Sequence, residues 1–181
     1  MFKQFIAILI LISLPFTAHA KLSDKNVRET QEMRQEVLAQ LYENNPEARE
    51  LIANAEGYAV FNNGGVNLIF LSAGSGKGVA HDNRSGQDTY MRMATGGVGI
   101  GLGIKDYRTV MVFHKRAMFD QFVDKGWDLS GQADAAAKID DNGGEANATG
   151  SVVSGITVYN MTEKGLVLQA TIQGTKYWKW D

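Results

Sequence analysis

The chain has 181 residues, 44% of them hydrophobic, with 20 glycines, two prolines and no cysteine. Its formal net charge of −2 excludes the strongly basic composition of a nucleic-acid-binding domain, and the absence of cysteine excludes disulfides and a lipidated cysteine anchor. One globular domain with an ordinary hydrophobic core is expected.

The first 20 residues are typical of a secretory signal peptide. Lys3 supplies a basic start, residues 5–16 (FIAILILISLPF) are apolar, and residues 18–20 (AHA) fit a small-x-small cleavage site. The apolar stretch is short for a transmembrane span, although an uncleaved anchor is the alternative. We therefore expect residues 1–20 to be removed and a single domain of residues 21–181 to work in the periplasm or outside the cell.

Residues 21–56 are predicted to be helical. Apolar residues recur at spacings of three and four over residues 27–41, which predicts an amphipathic helix that ends near Asn45. Pro46 fits the first position of a second helix that Asn45 caps and that stops at Gly57.

Residues 57–181 are predicted to be mainly β-structure. Short segments rich in β-branched and aromatic residues are separated by turn signals at residues 62–65 (NNGG) and 82–86 (DNRSG). One helix, at residues 117–123 with Gly126 as its cap, interrupts them. The expected fold class is α+β: an antiparallel sheet or barrel-like sandwich of about seven or more short strands, with the N-terminal helices and one inserted helix packed on it.

Glycine recurs at every second position in two predicted strands. Because alternate residues of a strand share a face, these glycines would leave one face as bare backbone. They are Gly74, Gly76, Gly78, Gly97, Gly99, Gly101 and Gly103. A similar alternation at residues 131–137 fits either a third such strand or an alanine-rich helix. Either one of the protein's own helices or a flat apolar ligand, such as an acyl chain, is expected to lie against the bare face.

Four motifs carry a resemblance to a known family. They are residues 55–61 (AEGYAVF), 73–79 (AGSGKGV), 97–103 (GVGIGLG) and 159–174 (YNMTEKGLVLQATIQG). Their order and spacing resemble the SYLF domain, also called the Ysc84 domain, over roughly residues 25–177. Asn62 stands where family members often have proline. The resemblance implies a lipid-binding domain, which recognises phosphatidylinositol lipids in eukaryotic members and is typically a secreted, stand-alone domain in bacteria.

Two groups of side chains are candidates for contact with an anionic phospholipid surface, which attracts cations and interfacial aromatic rings. The first lies beside the glycine strands and at the start of the inserted helix: Lys77, Lys105, Arg108, Lys115 and Arg116. The second lies in the C-terminal KYWKWD segment, where a strand would place Lys176, Trp178 and Trp180 on one face. The alternatives are cations that only solvate an outer face, and tryptophans that close a core or a barrel seam.

The motifs give no support for catalysis. Only His81 and His114 follow the expected signal peptide, and neither has a second His or Cys at metal-ligand spacing. Residues 140–145 (DDNGGE) depart from the calcium-loop spacing and are typical of a polar turn. We therefore expect no enzyme activity, cofactor or metal. The expected function is docking on anionic phospholipid, and the alternative is a structural or protein-interaction module of the envelope without a lipid ligand.

Overall fold

The computed structural model describes residues 22–68, 71–98, 106–128, 151–153, 155–162, 165–166 and 175–180. Three helices lie in this part of the chain: α1 (Asp24–Asn44), α2 (Ala48–Ala53) and α3 (Arg116–Lys125). The strands are β1 (Gly57–Leu68), β2 (Leu71–Asp82), β3 (Asp88–Val98), β4 (Asp106–Phe113), β5 (Trp127–Asp128), β6 (Ser151–Val153), β7 (Ile156–Thr162), β8 (Gly165–Leu166) and β9 (Thr175–Lys179). Within the described ranges, no helix combines the length and apolar character needed to cross a bilayer.

The strands form one antiparallel sheet, in the order β5-β9-β3-β2-β1-β4-β7-β6, with β8 paired to β7. Six of them, β1, β2, β3, β4, β7 and β9, have five residues or more, and the others are segments of two or three residues. The α+β class is confirmed. The predicted count of about seven or more strands is too high for the substantial strands of the described chain. The described sheet is not closed into a barrel, because β5 and β6, at the two ends of the strand order, do not pair with each other.

The sheet is strongly curved. Strands β1 and β9 are separated by β3 and β2, so a flat sheet would place them about 14 Å apart at the usual strand spacing. The rings of Phe61 on β1 and Tyr177 on β9 nevertheless meet with their centroids 4.7 Å apart. The face that carries both rings is therefore concave, and the other face is convex.

Helix α3 closes the concave face. Its buried Phe122 meets the rings of Phe61, Phe113 and Tyr177 at centroid distances of 6.2, 5.0 and 5.7 Å. The core on this side consists of alternate residues from neighbouring strands together with two residues of α3: Ala59, Phe61, Ala80, Met91, Met93, Met111, Phe113, Phe119, Phe122, Ile156, Val158 and Tyr177. Burial of this apolar surface is the main stabilising contribution to the fold on the concave side.

Helices α1 and α2 cover part of the convex face. Alternation along the strands points Val60, Val110 and Val112 away from the concave core and toward these helices. The buried stripe of α1, Met33, Val37 and Leu41, packs against them. The middle of the sheet is therefore apolar on both faces.

The predicted helices are close to those observed. Ser23 caps α1 by accepting a hydrogen bond from the Asn26 amide at 3.3 Å, and the Asn45 amide donates to Leu41 at the other end. Gly126 ends α3 with φ of 68°, a conformation that favours glycine. Helix α2 begins at Ala48 rather than at Pro46, because Pro46 and Glu47 form a turn first.

The predicted turn at residues 62–65 is wrong. These residues lie inside β1, paired in register with residues 77 to 74 of β2. The Asn-Gly pattern signals a turn only when the neighbouring strands end there, and here glycine faces small residues on β2 instead of reversing the chain. The other predicted turn is confirmed: Asp82 accepts hydrogen bonds from the amides of Arg84 and Ser85, and Gly86 has φ of 71°.

Candidate functional site

The described glycines of β2 share the concave face, as predicted. A side chain at Gly78 would overlap the Phe61 ring, and one at Gly76 would overlap the Asn62 carbonyl oxygen of β1. At Gly74 a Cβ would lie 2.8 Å from both Asn63 Oδ1 and Thr95 Cγ2. Side chains and backbone of the neighbouring strands therefore cover these glycines. The expectation that one of the protein's own helices or a flat apolar ligand lies against this face stays a prediction at β2, where the atoms nearest to each added Cβ belong to β1 and β3.

The remaining predicted glycines divide between β3 and residues outside the described chain. Gly97 pairs with Ser72 of β2, and this register places it on the concave face. Gly99, Gly101, Gly103 and Lys105 lie outside the described residues. Residues 131–137 also lie outside them, so the choice between strand and alanine-rich helix stays a prediction there.

A cluster of uncharged polar side chains lies at one end of the concave core, beside Gly74. Thr175 donates a hydrogen bond to Thr95 at 3.2 Å, and both contact the Tyr107 hydroxyl together with Asn63. Burial raises the pKa of Tyr107, so its hydroxyl stays protonated. Asn63 is 3% exposed, and its Oδ1 has no hydrogen-bond partner in the described part of the chain. Sequence reasoning missed this polar cluster because it assigned Asn63 to a turn.

On the convex face, one row of residues crosses five neighbouring strands. Register pairs Arg108 of β4 with Asn62 of β1, Asn62 with Lys77 of β2, Lys77 with Arg92 of β3, and Arg92 with Trp178 of β9. Directly paired residues point to the same face with their Cβ atoms about 5 Å apart. Three cations, one asparagine and one tryptophan therefore form a continuous line, which we call the convex row.

Helix α1 covers one part of the convex row. Arg108 donates a hydrogen bond to Gln40 of α1 at 2.8 Å. Lys77 donates to Glu29 of α1, and this contact lowers the pKa of the Glu29 carboxyl. Both predicted cations are therefore engaged by polar side chains of α1.

At its other end, the convex row reaches the outward-facing residues of β9. Trp178 is the one large hydrophobic side chain of the described chain that is exposed, at 37%. Lys176 is also exposed, and the Arg92 guanidinium lies 4.4 Å from the centroid of the Trp180 ring, within cation–π range. We call these four residues, Arg92, Lys176, Trp178 and Trp180, the β9 patch.

The alternation predicted for the C-terminal segment is present in β9. Thr175 and Tyr177 are buried at 1% and 3% exposure, whereas Lys176 and Trp178 point outward. Burial raises the pKa of Tyr177, so its hydroxyl stays neutral in the core. It is therefore Tyr177 that closes the core in this strand, and Trp178 does not.

The two cations predicted at the start of α3 lie apart from the β9 patch. Lys115 is exposed at the N-terminal end of α3, next to Gly155, and α3 packs on the concave face. Arg116 is paired with Asp82 at 2.9 Å and with Asp120 at 2.7 Å. The Arg116 hydrogen bond lowers the pKa of Asp82, which is typical of a structural ion pair. The predicted cations therefore do not converge on one surface.

Arg92 is the member of the β9 patch that sequence reasoning missed. Its signal was present in the segment 89–95 (TYMRMAT), where Met91 and Met93 are buried and Arg92 must point to the opposite face. What the sequence did not contain was the pairing of β3 with β9, which brings Arg92 beside Trp178.

The two histidines have local partners. His81 Nδ1 lies 2.7 Å from Asp88 Oδ1, which also accepts a hydrogen bond from Arg34 at 2.7 Å. His114 Nε2 lies 2.8 Å from the Thr157 hydroxyl. Across the described ranges, no three His, Cys, Asp or Glu residues come together as a set that could hold a metal ion.

Comparison with known proteins finds a relative in Aeromonas veronii. No family model matches the chain. Beta cell expansion factor A of Aeromonas veronii is 37% identical over 141 residues, which are 78% of this chain and 52% of that protein. The chain thus spans about half the length of the curated relative that it matches.

Proposed function

We propose that the chain is an exported, non-catalytic lipid-binding domain of the SYLF type, which docks on anionic phospholipid through the β9 patch. Residues 1–20 act as the signal peptide in this proposal, and the periplasm or the cell exterior is the place of action. The motif order described above supports the family assignment. No cofactor is required, because docking on a surface involves no chemical step.

The observation that carries the proposal is the exposed Trp178 flanked by two cations. An exposed tryptophan is costly in water and favourable at the boundary between headgroups and acyl chains. Lys176 lies on the same face of β9, and Arg92 is paired directly with Trp178. The patch therefore combines an interfacial aromatic group with charges that attract anionic headgroups.

The electrostatic attraction expected for the β9 patch is that of weak and reversible docking. A Lys or Arg near an anionic membrane surface contributes about 1 kcal/mol, so the two cations of the β9 patch together supply about 2 kcal/mol. This attraction is screened within about 10 Å at moderate salt. Binding should therefore depend on both anionic lipid and low ionic strength.

Co-sedimentation with lipid vesicles tests the proposal. We expect the purified protein to sediment with equimolar phosphatidylcholine and phosphatidylglycerol vesicles, to stay in solution with phosphatidylcholine alone, and to be released by added salt. Lys176→Gln should weaken binding by about fivefold, the equivalent of one lost cation. Lys115→Gln removes a lysine that is also exposed, beside the opposite face, and is the matched control, with a smaller expected change.

Two results would overturn the proposal. Failure of the protein to bind the anionic vesicles would leave the envelope interaction module as the better explanation. Equal losses from Lys176→Gln and Lys115→Gln would show that binding depends on net charge and not on the β9 patch.

A further inference from the structure

Next to the two cations of the β9 patch, the convex row contains a third cation, Lys77. An acidic side chain of the same chain is paired with it. Lys77 is paired in register with Arg92, so both side chains leave the same face of adjacent strands. The carboxylate of Glu29 accepts the Lys77 hydrogen bond. An anionic headgroup that reached Arg92 would therefore meet Glu29 at the next position of the row.

We propose that Glu29 acts as a built-in competitor that holds Lys77 back from the anionic headgroup, so that the occupancy of Lys77 regulates docking at the β9 patch. The inference rests on the proposed function. A carboxylate and a phosphate oxygen make the same kind of charge-assisted hydrogen bond to an ammonium group, so one can replace the other.

The ion pair is open enough for this exchange. The Lys77 side chain is 34% exposed and that of Glu29 is 41% exposed. Because a partly exposed pair is solvated on both sides, its separation costs little compared with a buried pair. Glu29 also has a second cation within reach, since Lys25 Nζ lies 3.7 Å from its other oxygen. Its carboxylate therefore keeps a partner when Lys77 turns to a headgroup.

The remainder of α1 does not have to move when Lys77 changes its partner. Near Glu29, α1 contacts the sheet through a polar side chain, because Gln31 donates a hydrogen bond to the Tyr90 hydroxyl at 3.0 Å. The apolar anchor lies further along the helix, at Met33, Val37 and Leu41. Exchange of the Lys77 partner therefore leaves the buried stripe intact.

Substitution of Glu29 tests this inference. We expect Glu29→Gln to bind the equimolar phosphatidylcholine and phosphatidylglycerol vesicles about fivefold more tightly than the wild type, with a steeper loss of binding as salt is added. Glu36→Gln removes one negative charge from an exposed position of the same helix and is the matched control. The double variant Glu29→Gln/Lys77→Gln should lose the gain.

The outcomes separate this inference from the proposed function. If the wild type binds anionic vesicles and Glu29→Gln binds no better than Glu36→Gln, the competitor role is overturned and the docking surface stands. A gain that persists in the double variant also overturns the competitor role. If neither the wild type nor Glu29→Gln binds, both proposals are overturned.

Discussion

The two faces of the curved sheet are built on different principles. On the concave face, aromatic rings from β1, β4, β9 and α3 meet each other, and the described glycines of β2 are covered by β1 and β3. On the convex face, apolar packing is limited to the stripe under α1 and α2, and a row of cations runs beside it to an exposed tryptophan. The concave face thus stabilises the fold, while the convex face leaves charge and one large ring in reach of a partner.

The comparison also shows what glycine does in this chain. On β2 its absence of a side chain lets the neighbouring strands fold over the concave side, so that Phe61 can reach Tyr177 across two strands. The small residues therefore act through curvature. Trp178 lies on the opposite, convex face, where it is 37% exposed.

Loss of the central ring on the concave face should have the largest effect on stability. Phe122→Ala removes a side chain that is 2% exposed and meets four other rings, and we expect a loss of about 3–5 kcal/mol in the free energy of unfolding. Gln121→Ala, an exposed neighbour on α3, should change it by no more than about 0.5 kcal/mol. Urea denaturation measures both, and similar values for the two variants would show that α3 does not close this face.

A methyl group added to the concave side of β2 should lower the free energy of unfolding by less than Phe122→Ala does. The loss should still be far larger than that from a small change on the convex side of the same strand. Gly78→Ala places a Cβ against the Phe61 ring and the Val60 carbonyl oxygen, and we expect a loss of about 1–3 kcal/mol. Ser75→Ala ends in the same residue type on an exposed position of the same strand and should stay within about 0.5 kcal/mol. Equal melting temperatures for Gly78→Ala and the wild type would show that the concave face is open at β2.

The loss of stability at alkaline pH should show that the Tyr177 hydroxyl is buried in the concave core. Burial raises the pKa of Tyr177 above its ordinary value of 10.0. The unfolded chain then releases the hydroxyl proton more readily, so this stabilisation is complete below pH 10.0 and is lost as the pH rises above it. We expect the wild type to lose stability more steeply above this pH than Tyr177→Phe. Parallel curves for the two proteins would show that the hydroxyl is not buried.

The local periodicity of the sequence predicted the elements that make both faces. The spacing of apolar residues predicted α1 and α3, Gly126 predicted the end of α3, and alternation in KYWKW predicted that Lys176 and Trp178 share a face. Such signals are local, because each depends on side chains within one helix or strand.

The composition of the surface could not be predicted in the same way. The partners of Lys77, Arg92 and Arg116 come from elements distant in sequence: Glu29 from α1, Trp178 from β9 and Asp82 from the end of β2. Strand order and the placement of α1 decide these pairings, and neither leaves a periodic signal. For the same reason, the sequence alone could not divide the six cations of the predicted set into engaged and available ones.

The environment of Trp178 in the presence of vesicles is the most direct test of the account. The variant Trp127→Phe/Trp180→Phe retains Trp178 as the single tryptophan of the chain. We predict that its fluorescence shifts to shorter wavelength and is protected from an aqueous quencher when equimolar phosphatidylcholine and phosphatidylglycerol vesicles are added, and that phosphatidylcholine vesicles have no effect. Sedimentation of this variant with the anionic vesicles while Trp178 remains fully open to the quencher would contradict the assignment of the β9 patch as the docking surface.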